Sequence, residues 1–188
     1  MAMANVTHCG GGRWRLVGWG FAVLLLATPF VAMQFTSDVA WTAGDFLLAA
    51  LMLGVLGLAL ELTFKFTSDS RFRTGVAFAL AAGFMTIWVN GAVGMIGSED
   101  NPYNLIFIGI VVLVPIGSAF GGFRALGMAR TMMIAAALQL AASALGAFTD
   151  PRGGVFSALF AVLWFLAGAL LRQSIVPDDP AAGLMNDH

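Results

Sequence analysis

Charge is scarce in this chain: Asp, Glu, Lys and Arg make up 10% of its 188 residues, where soluble domains carry about 25%. Histidine and cysteine are scarcer still. The two histidines, His8 and His188, lie at the extreme ends, which excludes a haem held by two axial histidines or a His-rich metal cluster inside a helix bundle. The single cysteine, Cys9, cannot close an intramolecular disulfide. It precedes the first apolar run, whereas a lipoprotein cysteine would follow one. There is no Ser/His pair, no His-Glu-x-x-His and no glycine-rich phosphate loop before a lysine. No histidine falls inside an apolar stretch, so the commonest general base is missing there. The expectation is a non-enzymatic protein with no cofactor and no metal. A net charge of −1 offers no basic face for nucleic acid.

What the chain has in abundance is apolar sequence, 60% of the total. It falls into six stretches, 16–35, 46–64, 75–96, 105–123, 128–148 and 155–171, each long enough to cross a bilayer. Their unbroken apolarity predicts helices rather than barrel strands, which would alternate in polarity over shorter segments. The fold class expected is all-α, a polytopic membrane helix bundle of six spans. Residues 1–12 read as a polar tail, 13–172 as the transmembrane domain and 173–188 as a disordered acidic tail. The first stretch exceeds the roughly 7–15 residues of a signal-peptide core, so it is expected to be retained as a span.

Cationic residues orient the bundle, because Lys and Arg stay on the cytoplasmic side. Arg13, Arg15, Lys65, Arg71, Arg73, Arg124, Arg130 and Arg172 all fall in the tails or in every second loop, and only Arg152 falls opposite. Both termini are therefore expected in the cytoplasm, with the chain in a bacterial inner membrane and the lipid bilayer as its first partner. The opposite loops are acidic, with Asp38, Asp45, Glu99, Asp100 and Asp150. The echo of Thr36-Ser37-Asp38 in Ser98-Glu99-Asp100 and Thr149-Asp150 is too short to define a repeat.

The most distinctive segment runs from Trp88 to Pro102. Gly91, Gly94 and Gly97 are spaced by three, which predicts a strip on one helix face where another backbone comes close. Asn90 is an amide at membrane depth and needs a hydrogen-bond partner. Together Asn90, Ser98, Glu99, Asp100 and Asn101 form a candidate polar or ion cluster at the outer mouth. Helix capping is the stronger reading, since Asn101 before Pro102 suits an N-cap with proline at the first helical position.

Glu61 is the one carboxylate well inside a predicted span, a functional candidate by default. Lys65 lies four residues later on the same face, so a structural ion pair outweighs a site. Asp45 is expected to cap the second span. Gln139 is expected to bond to another helix, while Pro29 and Pro115 are placed to kink theirs. Gly54 with Gly57, Gly117 with Gly121, and Ala137 with Ala141 provide small faces for close helix packing. Trp14, Trp19, Trp41 and Tyr103 suit the interfacial belts, and Trp88 and Trp164 lie deeper.

The string from Asn90 to Asn104, N-G-A-V-G-M-I-G-S-E-D-N-P-Y-N, resembles a segment of small multi-pass inner-membrane proteins of proteobacteria to which no function is assigned. The similarity extends to Pro29–Thr36, Trp41, Asp45 and Gly127–Arg130. It implies the membrane fold and brings no activity, cofactor or catalytic residue. The functional expectation is an accessory or scaffold subunit of a membrane assembly, joining other subunits or copies of itself. The alternative is a small transporter or ion-conducting protein using the polar outer-mouth cluster.

Overall fold

The computed structural model describes residues 13–37 and 40–175. Asp38, His8, Cys9, His188, the predicted polar tail 1–12 and most of the predicted acidic tail 173–188 lie outside them. Among the described residues, six helices are long and apolar enough to cross a membrane, and the protein is an all-α, multi-pass membrane protein. The chain forms two compact units with their boundary at Leu62, near the end of the second helix.

The first unit holds α1 (Arg13–Ala32) and most of α2 (Ala43–Phe66). Thr42 and Asp45 close the start of α2 reciprocally. The Asp45 carboxylate accepts from the Thr42 backbone N–H at 2.7 Å and from its hydroxyl at 2.8 Å, while the Asp45 N–H donates weakly to the Thr42 hydroxyl at 3.4 Å. Asp45 is therefore the third-position partner of a capping box rather than the cap itself, because Thr42 stands just outside the helix. Nearby, Trp41 meets Phe46 edge to face with ring centroids 5.2 Å apart. Few residues of these helices are fully buried, 6% of the α1 span and 11% of the α2 span, and the rest are partly or wholly exposed. In lipid that is no penalty, since acyl chains are as apolar as leucine.

The second unit is four antiparallel helices: α3 (Ser70–Ala92), α4 (Leu105–Phe120), α5 (Ala125–Gly146) and α6 (Pro151–Gln173), with a single 3-10 turn at Pro102–Asn104. α6 packs against both α5 and α3, and α4 against α5. Two of the four starts are capped by a carboxylate. The Asp69 carboxylate accepts from the Phe72 N–H at the head of α3, and Asp150 accepts from the Gly153 N–H at the head of α6, with Pro151 at the first position. Between α4 and α5 the chain turns through Gly122 and Phe123, both at positive φ. Arg73 secures the other turn, donating to the carbonyls of Thr67 at 2.8 Å and Phe64 at 3.1 Å, with its guanidinium over the Phe64 ring.

Small residues bring these helices together. Gly75 of α3 lies against Ala167 and Leu171 of α6; Gly168 of α6 lies against Ala129 and Met132 of α5; Gly117 of α4 and Gly121, just past its end, meet Thr131 and Gly127 of α5. Around them the core is filled by Phe107, Met132, Trp164 and Leu171. The third span stops four residues before its predicted end at Ile96. Gly94 has φ +78°, which turns the chain out of the helix after Ala92. Gly91, Gly94 and Gly97 are consequently not one helical strip: the last two are turn residues, and Gly91 has open space around it. Ala137 and Ala141 are exposed, and the packed face of α5 is instead Ala135, Ala136 and Ala142.

Candidate functional site

The ends of the four-helix unit differ in charge. Arg71, Arg73, Arg124 and Arg172 belong to the beginnings of α3 and α5 and the last turn of α6; Glu99, Asp100 and Asp150 belong to the opposite end. At that acidic end Gly94 and Gly97, with φ +78° and +71°, fold the chain back so that Met95 and Ile96 enter the bundle and are 1% exposed. Asn104 holds them there. Its Oδ1 accepts from the N–H of Met95 at 3.2 Å and of Ile96 at 2.9 Å, and its Nδ2 donates to the Ser98 carbonyl at 2.8 Å. Asn101 caps the 3-10 turn by accepting from the Tyr103 N–H at 3.0 Å, and donates to the Ile96 carbonyl at 2.9 Å. The Tyr103 hydroxyl donates to the Ala142 carbonyl of α5 at 2.7 Å.

Asp150 ties this loop to α6. Besides capping that helix, it accepts from the Gly97 N–H at 2.9 Å. The Gly153 N–H first, and the Gly97 N–H after it, hold its carboxyl below the ordinary carboxylate range.

The residues singled out as a polar cluster are thus divided among different tasks. Ser98, Glu99 and Asp100 are exposed. Both polar ends of the Asn101 side chain serve its own loop, and Asn90 is buried within α3. Asn104 and Asp150 carry more of the loop than any of these. Asp150-Pro151 repeats the Asn-Pro capping signal of Asn101-Pro102 and was visible on that ground; nothing in the spacing marks Asn104 as a hub.

Glu61 pairs with Arg15 and not with Lys65. The Arg15 guanidinium donates to both carboxylate oxygens, at 2.9 and 2.5 Å, and the Trp19 indole N–H donates at 2.8 Å. Gly57 makes this geometry possible, since a Cβ there would collide with the Trp19 ring. A partner that lies 46 positions earlier is invisible to helix spacing.

The interior of the four-helix unit contains a group of buried polar side chains: Thr86 and Asn90 from α3, Gln139 and Ser143 from α5, Ser157 from α6. Gln139 Nε2 donates to the Ser157 carbonyl at 3.1 Å, and the Ser157 hydroxyl donates to the Ser143 hydroxyl at 2.8 Å. Among the described residues, no partner meets the Thr86 hydroxyl, either end of the Asn90 amide, Gln139 Oε1 or the indole Nε1 of buried Trp164. Outside this interior, an apolar groove of about 360 Å³ lies between α4 and α5, lined by Ile106, Gly109, Leu113, Leu138, Ala141 and Leu145. Among the described residues no three His, Cys, Asp or Glu side chains are grouped so as to hold a metal ion. No protein-family model, curated protein or solved structure matches the chain.

Proposed function

We propose that this protein is a non-enzymatic accessory or scaffold subunit of an assembly in a bacterial inner membrane, with both termini in the cytoplasm. The observation that carries the reading is the openness of α1 and α2. Gly54, with Ala50 one turn before it, presents a small-residue patch on α2, and a Cβ at Gly54 would meet nothing within 4 Å. Such spacing suits close approach by another helix. The Glu61 carboxylate is already engaged by Arg15 and Trp19, which favours a structural part for it over ion coupling.

The test is assembly in gentle detergent. The tagged protein is expected to purify as a complex larger than a monomer, and Gly54→Leu to dissociate that complex while helix content is kept. A homogeneous monomer with nothing bound overturns the proposal.

A second reading, a small transporter, is favoured by the buried and unpartnered amide of Asn90. Loss of solute flux into vesicles in Asn90→Ala, with folding and assembly intact, would replace the first reading with this one.

A further inference from the structure

We infer that the cation-rich end of the four-helix unit is a docking face for anionic phospholipid, its arginines taking the headgroup phosphate and its exposed phenylalanines the upper part of an acyl chain. The inference does not rest on the assembly reading.

Topology collects the charges. Gly75 near the start of α3 touches Leu171 near the end of α6, and Ala129 near the start of α5 touches Gly168 of α6, so these three termini share one end. Arg71, Arg124, Arg130 and Arg172 are exposed there. Lys65, which belongs to the same unit, is exposed in the turn that Arg73 ties down through the carbonyls of Thr67 and Phe64. The one carboxylate of the unit described at this end is Asp69, and it caps α3. Among the described residues no ion pair engages Arg124, Arg130 or Arg172. The opposite end reverses the balance, with Arg152 against Glu99, Asp100 and Asp150.

Depth and neighbours select a lipid over a soluble polyanion. Arg130 lies about 9 Å further along α5 than Arg124, at 1.5 Å per residue, and its side chain must reach back toward the interface. A soluble acidic partner stops at the surface, whereas a phosphate at the top of the acyl chains meets a guanidinium there and suits its planar fork. Phe120 and Phe123, 90% and 61% exposed, flank the turn between α4 and α5 directly before Arg124. Such rings gain nothing from an aqueous anion and fit the boundary between headgroups and acyl chains. Clustered cations beside membrane helices attract anionic lipid by about fivefold for each cation close to the surface.

Lipid retention tests this. The tagged full chain is stripped of lipid, incubated in micelles with phosphatidylglycerol and phosphatidylcholine of the same acyl chains, recaptured, and its bound lipid quantified by mass spectrometry. Phosphatidylglycerol is expected to be retained in preference, and Arg124→Gln, Arg130→Gln and Arg172→Gln each to cut that preference by up to about fivefold, with helix content unchanged by circular dichroism. Arg152→Gln, at the opposite end, is expected to leave it intact. Phe120→Ser combined with Phe123→Ser should weaken retention of both lipids alike. The unmodified protein supplies its own check, since its preference should shrink at about 0.5 M salt, where charge attraction is screened. Equal retention of the two lipids overturns the inference, as does a loss in Arg152→Gln as large as that in Arg124→Gln. Inorganic phosphate that displaces phosphatidylglycerol at comparable concentration assigns the face to a free anion and overturns it too. So does a preference that emerges only in Asp178→Asn combined with Asp179→Asn, which makes the chain's own acidic tail the occupant.

Discussion

Glycine behaves differently in the two units of this protein. In the first, Gly18, Gly20 and Gly54 have nothing within 4 Å of where a Cβ would stand, and Gly57 meets only the Trp19 side chain; in the second, Gly91, Gly109 and Gly122 are likewise open, but Gly75, Gly121, Gly154 and Gly168 face a neighbouring helix closely enough that a Cβ would press on backbone. Burial follows the same division. About 39–44% of the α3, α5 and α6 spans and 22% of the α4 span is buried, against 6% for α1 and 11% for α2. Because lipid supplies no hydrophobic drive between helices, close backbone approach and buried hydrogen bonds must hold the four-helix unit. The α1–α2 pair relies instead on localised contacts, with Arg15 and Trp19 gripping Glu61 at one end.

The contrast can be broken most forcefully at Asn104. Asn104→Leu strips the partners from the buried N–H groups of Met95 and Ile96, and at about 1–3 kcal/mol for each unsatisfied donor the loss should reach about 2–6 kcal/mol. Thermal unfolding in detergent would measure it. A change below 1 kcal/mol would mean that the loop is held by something else.

Gly121→Ala comes next. Its new methyl would lie 2.8 Å from the Cα of Gly127, so α4 and α5 must separate, at about 1–3 kcal/mol by the usual cost of overpacking. The same measurement reads it, and an unchanged melting temperature would show that this helix pair is not tightly seated.

Asp150 gives a smaller, pH-dependent effect. Its carboxyl is held below the ordinary value by N–H groups that bond its charged form, so its contribution is fully present above that ordinary value, about 3.9. It is lost as pH falls through the lowered one. Melting curves from pH 6 down to pH 2 should therefore decline more for the wild type than for Asp150→Asn. Parallel curves would remove Asp150 from the account.

The smallest effect is expected where the first unit is open. Gly54→Ala should be neutral or stabilising by up to about 1 kcal/mol in the isolated protein, because alanine is the better helix former and meets no neighbour. A large destabilisation there would erase the distinction between the units.

The membrane architecture was legible from sequence for a simple reason: span length and apolarity are set by the bilayer and need no knowledge of packing. All six predicted stretches contain a helix, with the ends displaced by a few residues. The cap at Asn101 was read from its Asn-Pro pair; the cap at Asp150 was not read, although Asp-Pro carries the same signal. The end of α3 was not legible, because glycines spaced by three suit a helix face as readily as two turns, and only the backbone angles distinguish them. Partner choice escaped as well. Glu61 has a cation four residues away in its own helix, yet Gly57 admits Trp19 and brings Arg15 within reach. Gln139 reads as a bond to another helix and makes one, to the Ser157 carbonyl; that Ser157 is its partner depends on helix register, which no single-helix pattern encodes.

The inward fold of Met95 and Ile96 has a consequence for exchange between the interior and the surroundings. Asn104 grips the backbone of both residues from one side, while Asp150 grips the adjacent Gly97 from another. The backbone of this segment cannot shift without breaking these bonds. Displacing the segment from this end of the bundle therefore ruptures three backbone N–H hydrogen bonds together, and the rate of its local opening should be set by that rupture.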